Sequence, residues 1–156
     1  MNIRRIISIG LLTAPAWAIA APLPYNETAD AKAEIEQALA TAGSTKRNVL
    51  VIFGANWCED CRALDASLKN QKNAELLAKE FVVVKVDVGN FDRNGAITTQ
   101  YGNPTKKGIP AAVVLAPNNQ TLYATRAGEL SNARRMSESG VYEFFTQAVS
   151  TAKGSK

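Results

Sequence analysis

Residues 48–61 read NVLVIFGANWCEDC, an unbroken apolar run that ends in a glycine and leads straight into Cys58 and Cys61, the only cysteines among 156 residues. A continuous run this dense in β-branched side chains is expected for a strand buried on both faces of a sheet. The rest of the chain must then cover two faces, and the cysteine pair lies at the strand's end. Such a pair can be a redox couple, half of a metal site or a small structural staple.

Composition narrows the choice. A zinc site normally draws three or four ligands from Cys, His and carboxylate, and this chain has no histidine and no second cysteine pair. A protease-type cysteine needs a histidine base, which is also missing. A structural disulfide stays open, but closing so short a loop removes little chain entropy and makes a poor staple. The redox reading explains more. With a helix beginning at Cys58, that sulfur lies at the positive end of the helix dipole, where a thiolate is favoured. Cys61, three residues on, lies one turn deeper on the same face and can resolve a mixed disulfide formed at Cys58. Trp57 would supply an apolar platform beside the sulfur, against the alternative of an ordinary core aromatic.

The N-terminus sets the compartment. Arg4 and Arg5 precede an apolar run from Ile6 to about Ala20 that ends in Ala18-Ile19-Ala20, the layout of a cleaved secretory signal over residues 1–20. Gly10, Thr13 and Pro15 within a short run weigh against a membrane anchor, and no cysteine near the cut offers a lipid attachment point. Removing 20 of 156 residues leaves 136, residues 21–156, enough for one domain with a real core. Losing Arg4 and Arg5 reduces the net charge from +4 to +2, too mild and too scattered an excess to suggest nucleic acid. An exported protein enters an oxidising compartment; after signal cleavage no stable membrane insertion is expected.

Along the mature chain, PLPYNE at 22–27 reads as an extended leader, with Thr28 capping a helix over Ala29 to Ala42 that Gly43 stops. A helix follows from Cys58 through Leu64 and Leu68. After a polar break at Lys69 to Asn73 comes a second helical piece, AELLAKEF. FVVVKVDV at 81–88 is another buried strand, and a short helix near Ala96 to Tyr101 follows a loop. Ala111 to Ala116 and Thr121 to Thr125 flank the turn signal Pro117-Asn118-Asn119-Gln120 as a hairpin. Val141, Phe144, Phe145 and Val149 mark one face of a last helix over Ser137 to about Ala152. Strands alternating with helices imply parallel pairing, and the hairpin one antiparallel edge. The expected fold class is α/β, a mixed central sheet with helices on both faces.

The motifs resemble those of the thioredoxin superfamily. VLVIFGANWCEDC looks like the family's buried strand running into W-C-x-x-C, and FVVVKVDV like its next strand, with Lys85 at the place of a lysine beneath the active site. GIPAAVVL looks like the segment in which a cis proline follows an isoleucine. The resemblance spans about Val49 to Phe145. It implies a thioredoxin fold, a cis Ile109-Pro110 bond with Pro110 against the sulfurs, an Ile109 backbone that pairs with a substrate strand, and no cofactor beyond the redox-active Cys58-Cys61 disulfide. The broken helix LDASLKNQKNAELLAKEF looks most like the periplasmic thioredoxin-like domain of the transmembrane disulfide-reducing relay. One departure stands out: Ile52 occupies the place of the family's buried aspartate. The proton relay is then absent or supplied by another acid, with Glu59, Asp60 and water as candidates.

Glu59-Asp60 between the cysteines favours the first helical turn but disfavours a neighbouring thiolate, opposing the dipole at Cys58. Arg62 would offset part of that charge, unless it is only a solvated surface residue. The strongest oxidants of this fold depend on an unusually stable thiolate, so the dipeptide points to a more reducing pair. The expected function is an exported thiol-disulfide oxidoreductase, a reductase or isomerase of protein disulfides that draws electrons from a membrane-embedded donor. The alternatives are a thioredoxin-fold binding or chaperone module with a mainly structural disulfide, and a cytochrome-maturation or metal-delivery specialist. VGNFDRN at 88–94 and RAGELSNARRM at 126–136 would shape partner choice, against readings as a solvated loop and a linker.

Overall fold

A computed structural model describes residues 22–155; the signal segment read at residues 1–20 lies outside them. Four strands, β1 (Asn48–Gly54), β2 (Phe81–Asp87), β3 (Ala111–Leu115) and β4 (Thr121–Ala124), form one sheet in the order β2-β1-β3-β4. All seven residues of β1 are buried, as its unbroken apolar sequence requires. Val49, Val51 and Phe53 pack with Ile35, Ala38 and Ala42 of helix α1 (Ala31–Thr45), while Leu50 and Ile52 join the opposite core of α2 (Glu59–Leu68), α3 (Gln71–Glu80) and α5 (Glu138–Gly154) through Leu64, Leu77 and Phe145. The sheet thus has helices on both faces.

Parallel pairing holds for β1 with β2, in register from Asn48↔Phe81 to Gly54↔Asp87. It fails for β3, which runs antiparallel to β1 as well as to β4. The connection explains this: after β2 comes only the six-residue α4 (Gly95–Gln100) and a 3-10 turn at Pro104–Lys107. Six helical residues rise about 9 Å, less than half of the roughly 23 Å that a seven-residue strand spans. The chain therefore never crosses back to the far end of the sheet, and β3 starts beside the end of β1, with Ala111 opposite Phe53.

Element ends also differ. Asp30 rather than Thr28 caps α1, its Oδ1 accepting from Ala33 N at 3.0 Å, while the Thr28 hydroxyl donates to Asn26 Oδ1. The helix passes through Gly43 and closes at Lys46, which adopts a left-handed φ of 55°. Asn73, read as part of a break, lies inside α3 and donates from Nδ2 to Ser67 O at 2.8 Å, so the interruption shrinks to Lys69 and Asn70. The leader is fixed to the domain: Tyr25 N donates to Asn56 Oδ1 at 3.0 Å, Asn56 Nδ2 returns a bond to Tyr25 O at 2.9 Å, and the Tyr25 ring is buried.

Candidate active site

β1 ends at Gly54, and a short turn carries the chain to Cys58, the N-cap of α2. The expected helix start is thus shifted by one residue. Cys58 and Cys61 are joined as a disulfide, and Cys58 Sγ accepts from Cys61 N at 3.1 Å, at the end of α2 where amide groups lack helical partners. The two sulfurs are unequal in depth: Cys61 is 1% exposed and Cys58 6%. Cys58 Sγ lies 3.7 Å from the Ile109 carbonyl oxygen, and the Ile109-Pro110 bond is cis. Sequence positions 51 residues apart thereby meet at the outer sulfur. Ile109 and Pro110 are both buried.

Trp57 is not a core aromatic, being 53% exposed. Its Nε1 donates to Gly89 O at 2.9 Å, and its ring meets Phe91 edge-on with centroids 6.2 Å apart. Phe91 is itself exposed and holds a left-handed φ of 64°. That conformation is fixed by its neighbours: Asn90 N donates to Asp92 Oδ1, Arg93 Nη1 to Glu27 O and Asp87 Oδ2, and Asn94 Nδ2 to Asp87 O. The 88–94 segment is therefore a loop that is solvent-exposed over residues 90–93 but is held by these bonds as a wall beside Trp57.

The charges are arranged differently from the sequence-based expectation. Arg62 does not face the acidic dipeptide; its Nη1 donates to Asn56 O at 2.7 Å and ties down the turn before Cys58. Arg134 takes that role. Its Nη1 donates to Glu59 Oε2 at 2.7 Å and stands 3.9 Å from Asp60 Oδ2, while its backbone N donates to Asp60 Oδ1 at 3.0 Å. The 126–136 stretch is thus more than a linker, since its 3-10 turn at Ala133–Arg135 closes over the first turn of α2.

Lys85 pairs with Asp65, which also holds Lys69 at 2.7 Å. Ile52 stands opposite Lys85 in the strand register and is fully buried. The carboxylate that accompanies Lys85 therefore comes from α2 instead of β1. Burial alone would raise the Asp65 carboxyl, but the hydrogen bonds and charges of Lys69 and Lys85 outweigh it and hold it below its ordinary value. Glu59 and Asp60, the acids first considered for a proton relay, are committed to Arg134. Asp65 was detectable, since i and i+4 share a helix face and it follows Cys61 by four. Arg134 and Tyr25 carry no local signal: tertiary packing alone brings them here.

A family model described as thioredoxin-like matches residues 30–117. The chain is 32% identical over 94 residues to a thioredoxin from Buchnera aphidicola, covering 58% of this chain and 73% of that one. A crystal structure of a disulphide isomerase from Xylella fastidiosa is 54% identical, covers 82% of this chain and 98% of its own, and superposes with a TM-score of 0.80. The C-terminal domain of DsbD from Neisseria meningitidis shares the fold alone, at 19% identity and a TM-score of 0.52, over 75% of this chain and 96% of its own. A Cys-x-x-Cys pair capping a helix after a buried strand, within a match that spans most of the domain, identifies this chain as a member of the thioredoxin-like family and a thiol-disulfide oxidoreductase.

Proposed function

We propose that the chain is an exported reductase or isomerase of protein disulfides, with Cys58 as the attacking thiol and Cys61 as the resolving one. The observation that carries the assignment of roles is the difference in depth: Cys58 opens toward Trp57 and the Ile109 carbonyl, and Cys61 lies beneath it. In the reductive direction the Cys58 thiolate attacks a substrate disulfide and releases one substrate thiolate. Cys61 then attacks Cys58 Sγ, the second substrate thiolate leaves, and the Cys58-Cys61 disulfide forms. Ile109 offers backbone groups beside the sulfur to an extended substrate segment. The 54% identity to a disulphide isomerase supports the isomerase half of the reading, and the basic-apolar-small pattern of residues 1–20 supports export. A reductase in an oxidising compartment must be recharged, so a membrane-embedded electron donor is part of the proposal.

Insulin reduction by the wild type and by Cys58→Ser tests the reading. Loss of activity in the variant is expected, and equal rates would favour a binding module with a structural disulfide. Cys61→Ser should instead accumulate the mixed disulfide with substrate, visible on a non-reducing gel.

A further inference from the structure

Gly54 is the last residue of β1, and the space beside its α-carbon is filled from two sides. A Cβ placed there would overlap the Tyr25 phenol oxygen and come within 3.0 Å of Cys61 Sγ. The hydroxyl of a leader residue and the sulfur of the deeper cysteine therefore both lie against Gly54, which has room for the two because it carries no side chain. Tyr25 is held there by the two-way bond between its backbone and the Asn56 side chain, immediately before the active-site tryptophan.

The surrounding charged groups are committed elsewhere. Asp65 binds Lys69 and Lys85, while Asp87 accepts from Gly89 N and Arg93 Nη1; Arg93 also reaches Glu27. Burial raises the Tyr25 phenol well above its ordinary value, and the charges of Asp65 and Asp87 add to that. It therefore stays an O–H at neutral pH and can donate a hydrogen bond but not surrender its proton.

We infer that the Tyr25 hydroxyl donates a hydrogen bond to the Cys61 sulfur whenever that sulfur is a thiolate, a role that rests on Cys61 being the resolving thiol. When a donor thiolate attacks Cys58 Sγ, a new sulfur-sulfur bond forms there and the Cys58-Cys61 bond breaks. The electron pair of the broken bond goes to Cys61 Sγ. The Tyr25 O–H meets that charge, and its proton stays on oxygen. In the reverse step the same hydrogen bond holds Cys61 as the thiolate that attacks Cys58. A phenol delivered by the leader does at Cys61 what neither Ile52 nor the Arg134-bound acids can do.

The test is the titration of Cys61 in the full chain carrying Cys58→Ser, followed by thiolate ultraviolet absorbance. Tyr25→Phe keeps the ring and every charged neighbour, so a shift reports the hydroxyl. The Cys61 pKa should rise by about one unit, a roughly tenfold loss of thiolate at a fixed pH below it, as expected for a lost hydrogen bond to a charged acceptor. An unmoved or lowered pKa in a variant with unchanged melting would overturn the inference. Site-specific fluorotyrosine at position 25 gives the second reading: a more acidic phenol should lower the Cys61 pKa, and no change would count equally against it. Because the titration needs no turnover, it stands apart from the insulin assay that tests the functional reading.

Discussion

Arg134 is the residue whose removal should speak most directly to the site's electrostatics. Arg134→Gln leaves Glu59 and Asp60 uncompensated beside Cys58, so the Cys58 thiolate becomes less stable. The pair is exposed and worth no more than about 0.2–1 kcal/mol, which bounds the rise in the Cys58 pKa at roughly 0.7 of a unit. A Cys58 titration in the Cys61→Ser background checks it, and a fall in pKa would contradict the assignment. Asp65 makes a different prediction. Its folded carboxyl is held below its ordinary value, so its stabilising contribution is complete above about pH 4 and is lost as pH falls through the lower folded value. Asp65→Asn should cost about 1–3 kcal/mol near neutrality by leaving Lys85 without its partner. In urea unfolding, that gap from the wild type should shrink between about pH 5 and pH 2; a constant gap would exclude the linkage. Tyr25 titrates at the other end of the scale. Its raised folded pKa means that its contribution is present below about pH 10 and fades above it. Tyr25→Phe should therefore lose less stability than the wild type in alkaline solution. The cysteines, Trp57, Lys85 and Pro110 were legible because each lies in a contiguous motif. Arg134 and Tyr25 were not, since the 74 residues from Asp60 to Arg134 and the 31 from Tyr25 to Asn56 are bridged only by the folded chain.

Elements were read well where a single periodicity held over their length. β1 and β2 match their sequence-based positions almost residue for residue, although β2, read as a buried strand, is an edge strand that exposes Val83, and α5 buries Val141, Phe145 and Val149 as its spacing requires. Misplaced ends have local causes: Asp30 takes the cap from Thr28, and Lys46, a non-glycine in the left-handed region, ends the helix that Gly43 was expected to stop. The direction of β3 was misread because strand-helix alternation says nothing of helix length, and α4 is too short to recross the sheet. Phe145 of α5 is fully buried against Leu64 and Leu77 in the core beneath α2. Phe145→Ala should cost about 3–5 kcal/mol in chemical denaturation. A value under about 1 kcal/mol would mean that α5 does not support the active-site helix as described.

At the scale of the whole molecule, the fold brings three separate stretches to one end of β1: the helix that begins after Cys58, the Ile109-Pro110 segment, and the Gly89–Asn94 wall with Phe91. Arg134 closes over the acidic dipeptide from a fourth. The dipeptide keeps a net negative charge even with one guanidinium attached, which opposes the helix dipole and limits how stable a Cys58 thiolate becomes. This balance underlies the proposal that the pair is a reductant or isomerase of protein disulfides rather than a dedicated oxidant. The equilibrium reduction potential of Cys58-Cys61, measured by alkylation after equilibration in defined thiol buffers, tests it directly. A value between about −180 mV, the isomerase figure, and about −270 mV, the thioredoxin figure, is predicted; one near about −120 mV would contradict the account.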